Sequence, residues 1–221
     1  MKNYSTVLFD LDGTIIDSSP GVIKSIQYSL LHFGFTEETV PKKEDLLFFI
    51  GPPLDDSFSK IFGDDKETIQ AAIEKYRSMY STEGLLDTYL YPGVAELIRR
   101  LAKAGKKLIL ATSKPEVFAV RIMDHFGLTE YFTCIGGASL DSSRQNKEDV
   151  IRYALEKVGN PSTDDCVMVG DRLFDINGAK TFSMDSIGVL YGFGSKEELE
   201  DAGATYIAKT AEDVGDMLLN V

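Results

Sequence analysis

The stretch Val7-Leu8-Phe9-Asp10-Leu11-Asp12-Gly13-Thr14 ends an apolar run on two carboxylates one residue apart, and breaks at once on a glycine. Continuous apolarity over residues 6–9 predicts a strand buried on both faces, as in a parallel sheet. Aspartate does not extend a core, because burying its charge without a partner is costly. A strand-to-turn cap, with Asp favoured before Gly, accounts for the pair in isolation. Its neighbours decide the matter. Similar runs at 107–111, 166–169 and 186–190 predict three more strands, with weaker ones at 131–137 and 204–208. Helical patterns lie between them at 92–105, 115–127, 146–159, 175–182 and 195–203. The first starts at a proline and stops at a glycine. Strands alternating with helices give an α/β fold with a doubly wound, Rossmann-like parallel sheet.

One segment departs from that alternation. Nearly a hundred residues separate the first strand from the next, far more than one crossover helix requires. Residues 17–86 read as helices throughout, so they form an inserted α-helical cap domain, with hinges near 16–20 and 85–91. Residues 1–16 and 87–221 form the core.

Ligands of open α/β sheets sit beyond the carboxyl ends of the strands. Asp10 and Asp12 follow the first strand; Thr112, Ser113 and Lys114 follow the second; Asp171, with Asp175 four residues on, follows the run at 166–169. Lys147 opens a helix that can face the same edge. Three strand ends of one chemical character are hard to obtain by chance. Clustered aspartates require a cation, and a sparse all-oxygen set suits Mg2+ completed by a phosphate oxygen. A carboxylate beside the metal stays ionised as a nucleophile; a second, two residues on, can carry a proton. A hydroxyl and an ammonium nearby can grip phosphate oxygens.

The set resembles the haloacid dehalogenase superfamily, specifically its phosphatases with a helical cap after the first motif. DLDGT (10–14), LILATSK (108–114), NKEDVIRYALEK (146–157) and VMVGDRLFDI (167–176) match its four motifs in order and spacing over essentially the whole chain. The resemblance implies that Asp10 is the nucleophile and Asp12 the general acid, then base. It implies that Thr112 and Lys147 bind the phosphoryl group, with backbone N–H groups of Leu11 to Gly13 and of Ser113. Mg2+ would be held by Asp10, the carbonyl of Asp12 and Asp171, with Asp175 in support. Dehalogenases of the superfamily lack the second aspartate, so Asp12 favours phosphoester hydrolysis. The stretches at 17–34, 48–58 and 90–101 resemble the phosphoglycolate phosphatase-like branch. Those at 136–151 and 185–199 resemble 5′-nucleotidases acting on nucleoside monophosphates. The implied substrate is a small phosphorylated metabolite, phosphoglycolate or a nucleoside 5′-monophosphate. A sugar phosphomutase of the β-phosphoglucomutase kind is the alternative, weakened because no histidine occurs before His32. A catalytically silent phosphate-ligand binder is the other, disfavoured by intact motifs.

The bulk properties agree. A net charge of −12 over 221 residues and a pI of about 4.6 disfavour a nucleic-acid polymer and an anionic membrane. Cys134 and Cys166 read as buried thiols, and two histidines exclude a His-rich metal site. With no signal-peptide pattern, the expected setting is cytoplasmic. A monomer or weak homodimer is expected. Among further candidates, Lys114 and Arg144 can meet substrate or an acidic neighbour. Lys24 can reach a substrate anion or lie solvated. Gly51 allows a bend in a loop that closes over the site or merely joins two helices. Phe48 and Phe49 read as cap core rather than a stacking platform.

Overall fold

The computed structural model describes residues 2–141 and 143–220. In chain order its elements are β1 (Thr6–Phe9), β2 (Ile16–Asp17), α1 (Ser19–His32), α2 (Lys43–Leu46), α3 (Leu54–Phe62), α4 (Lys66–Met79) and β3 (Tyr89–Leu90). They continue with α5 (Val94–Lys103), β4 (Lys107–Pro115), α6 (Glu116–His125), β5 (Cys134–Ala138), α7 (Lys147–Lys157) and β6 (Cys166–Gly170). The chain finishes with α8 (Leu173–Thr181), β7 (Asp185–Val189), α9 (Lys196–Asp201), β8 (Tyr206–Ala208) and α10 (Ala211–Leu219). Two compact units result: residues up to Asp17 together with those from Leu90 onward, and Ser18–Tyr89.

The first unit is built on a six-stranded sheet of order β5-β4-β1-β6-β7-β8, parallel at every pairing. β1 is central: Thr6 pairs with Lys107 on one side and Cys166 on the other. Its apolar run is continuous because both faces are covered. On one face Leu8, Ile109 and Met168 pack with Val150, Ile151 and Ala154 of α7. The alternate residues Val7, Phe9, Leu108, Leu110, Val167 and Val169 are equally buried. The chain winds outward from β1 through β4 to β5, then returns to β6 and winds the other way. The strand order therefore reverses beside β1, where open α/β sheets bind ligands.

Three details differ from the sequence expectation. The helix expected from residue 92 begins at Val94, because Gly93 adopts a left-handed φ of 80° and keeps Pro92 outside it. The last helix, α10, was not anticipated. Its cap is explicit: Thr210 Oγ1 accepts from the Asp213 N–H, and Asp213 Oδ2 accepts from the Thr210 N–H. This is a capping box. Cys166 is buried, whereas Cys134 is only partly so.

The second unit is helical. Ile26 and Leu30 of α1, Phe58 of α3 and Ile69, Ala72 and Ile73 of α4 form its interior. Phe49 is 3% exposed and meets Phe58 edge-on at 4.9 Å, so it belongs to that core. α1 approaches the turn after α4 so closely that a Cβ on Gly21 would lie 1.8 Å from the Gly84 carbonyl oxygen. β2 and β3 form a separate two-stranded sheet. Among the described residues no helix is long and apolar enough to cross a membrane.

Gly21→Ala tests that approach. Alanine would normally gain about 1 kcal/mol in a helix, but the backbone clash should cost about 1–3 kcal/mol net. Urea unfolding measures it; a neutral or stabilising result would show that α1 is not seated there.

Candidate active site

Four sequence-distant segments converge at the carboxyl edge of the sheet in the first unit. β1 delivers Asp10 and Asp12, β4 delivers Thr112 to Lys114, β6 delivers Asp171, and α8 presents Asp175 in its first turn. α7 begins with Lys147. Asp10, Thr112, Lys147, Asp171 and Asp175 are all buried.

Lys147 is the unusual member, since a lysine in the first turn of a helix is ordinarily solvated. It is 5% exposed. Its ammonium donates to Asp10 Oδ1 at 2.6 Å and to the Ala111 carbonyl at 3.0 Å. It also lies 2.8 Å from Asp175 Oδ1, a second ion pair. The stem reaches inward because α8 has a glycine opposite it: a Cβ on Gly178 would sit 2.8 Å from Lys147 Cγ. Burial works against the lysine's charge, yet Asp10 and Asp175 outweigh it and hold the pKa above the ordinary value.

Carboxylates outnumber that ammonium. Asp10, Asp171 and Asp175 bring ligand oxygens within 4.8 Å of one another, all buried. Three carboxylates against one ammonium leave two negative charges uncompensated. Burial accordingly raises the Asp10 pKa to about 6; Lys147 opposes the rise, while Asp175 and Asp12 add to it. Burial, then Asp175 and Asp10, push Asp171 well above the usual carboxylate range. A compact all-oxygen set with a surplus of two charges fits a small divalent cation such as Mg2+.

Each carboxylate is held differently. Asp171 is fully buried and accepts from Thr14 Oγ1 at Oδ1 (3.3 Å) and from the Phe193 N–H at Oδ2 (2.7 Å). Asp175 accepts the Arg172 N–H at Oδ2 (3.1 Å), so it caps α8 while Oδ1 faces Lys147. Gly170 makes room for it, since a Cβ there would lie 2.2 Å from Asp175 Cγ. Asp12 pairs with Lys114 at 3.0 Å, with side chains only 12% and 7% exposed. Thr112 Oγ1 accepts the Lys114 N–H at 3.2 Å, which ties that pair to the end of β4.

The backbone groups of the expected phosphate cradle differ in what they meet. The Gly13 N–H donates to the Ile16 carbonyl at 2.8 Å, closing the turn after β1, and is engaged there. Gly13 contributes through its missing side chain, with φ at 86° and a Cβ position 2.1 Å from Asp171 Oδ2. Leu11 is buried, and its carbonyl accepts from Thr14, Ile15 and Ile16 in the same turn. Ser113 is half-buried beside Thr112.

The outlying candidates separate. Arg144 takes the acidic neighbour: it bonds Glu116 Oε2 at 3.1 Å and the Gly137 carbonyl at 2.7 Å, and stacks 3.6 Å from the Tyr153 ring centroid. Lys24 and Gly51 belong to the second unit. Lys24 pairs with Glu83 at 3.1 Å on a half-exposed face, and Gly51 turns its loop at φ 109°. Thr14, Gly178 and the Phe193 N–H were not singled out from sequence. Only the glycines at 178, 192 and 194 hinted at close approach.

Comparison with known proteins follows this geometry. A 5′-nucleotidase of Pseudomonas aeruginosa is 39% identical over 89% of this chain and 87% of its own. Tyrosine-protein kinase PtkA of Mycobacterium tuberculosis is 36% identical over 93% of this chain and 68% of its own. The crystal structure of a predicted phosphatase from Clostridium acetobutylicum superposes with a TM-score of 0.93 at 44% identity, covering 100% of both chains. The family model for haloacid dehalogenase-like hydrolases matches residues 7–189, a span that contains every buried carboxylate of the cluster. The chain belongs to the haloacid dehalogenase-like hydrolases.

Proposed function

We propose that this protein is a Mg2+-dependent phosphatase of small phosphomonoesters, working through an aspartyl-phosphate on Asp10. The observation that carries the reading is the buried contact of Lys147 with Asp10 inside the triad of Asp10, Asp171 and Asp175. Ion-pairing with Lys147 keeps Asp10 available as a carboxylate despite its burial.

An oxygen of Asp10 attacks phosphorus, the bond from phosphorus to the leaving oxygen breaks, and Asp12 gives that oxygen its proton. Lys114 occupies Asp12 Oδ1, so the proton travels on Oδ2. Asp12, now a carboxylate, takes a proton from water as the water oxygen attacks the aspartyl-phosphate. Inorganic phosphate leaves and Asp10 is restored. Thr112, Lys147 and the N–H groups of Leu11 and Ser113 hold the phosphoryl oxygens. Asp10, Asp171 and the Asp12 carbonyl would hold Mg2+, with Asp175 behind them, and the ion would supply charge neutralisation at the phosphate.

Residues 17–86 act as the cap that selects substrate and excludes water. Lys24 and the loop at Gly51 are its substrate-side candidates. Nucleoside 5′-monophosphates rank ahead of phosphoglycolate, supported by the 39% identical nucleotidase. A cytoplasmic setting agrees with such substrates.

Phosphate release from a panel of nucleoside monophosphates, phosphoglycolate and sugar phosphates should require Mg2+ and vanish in Asp10→Asn. Release by that variant, or none from any substrate by the parent protein, sinks the reading. Asp12→Asn should lose about 10²–10⁴-fold in turnover while its Mg2+ affinity, read by calorimetry, stays unchanged.

The pKa directions give a third expectation. Asp10 titrates near 6 folded against 3.8 ordinarily, and Asp171 is raised too. Between about pH 4 and 6 the metal-free folded state therefore binds more protons than the unfolded chain, so stability falls as pH rises through that window. In EDTA the Tm should be lower at pH 7 than at pH 5, and added Mg2+ should raise it more at pH 7. A metal-free Tm that climbs from pH 5 to 7 contradicts the charge surplus.

A further inference from the structure

Asp171 is enclosed by glycine on several sides. A Cβ on Gly192 would lie 2.3 Å from the Gly13 carbonyl oxygen and 2.4 Å from Asp171 Cβ; one on Gly194 would lie 2.0 Å from the Asp171 carbonyl oxygen. Segment 190–194, which follows β7, is thereby laid against the loops after β1 and β6 at once. Its polar groups act on the same carboxylate. The Phe193 N–H donates to Asp171 Oδ2 at 2.7 Å. The Tyr191 hydroxyl donates to the Thr14 carbonyl at 3.1 Å, and Thr14 Oγ1 donates to Asp171 Oδ1 at 3.3 Å. Just downstream, Glu198 of α9 accepts from Arg172 Nε at 2.8 Å and from the Leu173 N–H at 2.9 Å, which fastens the far flank of the Asp171 loop.

We infer that Tyr191-Gly192-Phe193-Gly194 is a positioning strap that fixes the carboxylate of Asp171 for Mg2+. The inference rests on the reading that Asp171 is a metal ligand. Donors on both carboxylate oxygens hold the side chain in one rotamer, so its remaining lone pairs point one way before any ion arrives. Losing such an outer contact typically costs about 10–100-fold in metal affinity or activity. The two glycines are needed because any side chain there would lift the Phe193 N–H off Asp171.

Mg2+ calorimetry on Gly192→Ala and Tyr191→Phe tests this, with circular dichroism and the Tm in EDTA reporting on folding. Gly192→Ala displaces the strap and should weaken Mg2+ binding by about tenfold or more. Tyr191→Phe removes only the hydroxyl that pins the strap to Thr14, and should weaken it by about threefold. Weakening in either folded variant sustains the inference. A loop that merely packs would lower the metal-free Tm and leave the Mg2+ dissociation constant within about twofold of the parent. That result in both variants, or in Tyr191→Phe alone where Gly192→Ala does not fold, overturns it. A parent protein that binds no Mg2+ brings down the metal reading itself, before any variant is compared.

Discussion

The ammonium of Lys147 sits between Asp10 and Asp175, 2.6 and 2.8 Å from their oxygens, with almost no exposure to water. Lysine is seldom buried, and removing one partner of such a cluster typically costs about 3–5 kcal/mol, because the survivors keep their charge and lose its complement. The surrounding structure is arranged to keep that ammonium in place. α7 is held against β4 and β5, so its first residue starts at the sheet edge. Gly178 on α8 leaves a channel for the aliphatic stem. The Ala111 carbonyl, midway along β4, accepts one of its hydrogen bonds. Ahead of α7, Arg144 is locked by Glu116, Gly137 and Tyr153, which steadies the approach to the helix.

Around that fixed cation the carboxylates are sorted by what else holds them. Asp10 has the lysine. Asp175 has the helix it caps. Asp171 has a hydroxyl and a backbone N–H. Asp12 stands apart with its own lysine, Lys114. The division is chemically useful, because a nucleophile, a proton carrier and a metal site need different charges within a few ångströms. Parallel strands make it possible: they end at one edge, so residues far apart in sequence arrive together without long loops.

Much of this was legible in the sequence, for physical reasons that differ by residue. Val7 to Phe9 could be read as a strand because a strand covered on both faces is nearly continuously apolar. Asp10, Asp12 and Asp171 could be read because carboxylates recur at the ends of several such runs, where a turn cap explains each one alone but not the set. Lys147 was legible only by motif order; nothing local distinguishes it from a solvated lysine, and its burial depends on Gly178 thirty residues away. Arg144 had two readings, and sequence alone could not choose, since Glu116 and Tyr153 meet it only in three dimensions. The close approach of Gly13 to Asp171, where a Cβ would lie 2.1 Å from Oδ2, was not legible, because it depends on the loop after β6. α10 was overlooked although Thr210 and Asp213 spell out its cap. The Phe193 N–H could not be read at all, because every residue but proline possesses one, and the Thr14 and Tyr191 hydroxyls find their partners only in three dimensions.

The insertion between the first two sheet strands also bears on how the chain finds its fold. β1 must pair with β4 across about a hundred residues, and closing so long a loop is entropically slow. Yet the ends of the helical unit meet within itself, the Gly21 N–H donating to the Asp87 carbonyl at 2.9 Å. Once those helices have formed, the effective loop shrinks to roughly thirty residues, which lowers the closure cost by about 1 kcal/mol. Helices that form before the sheet would thus bring the two strands closer along the chain. Chain topology alone gives the insertion a reason to be a self-contained helical body.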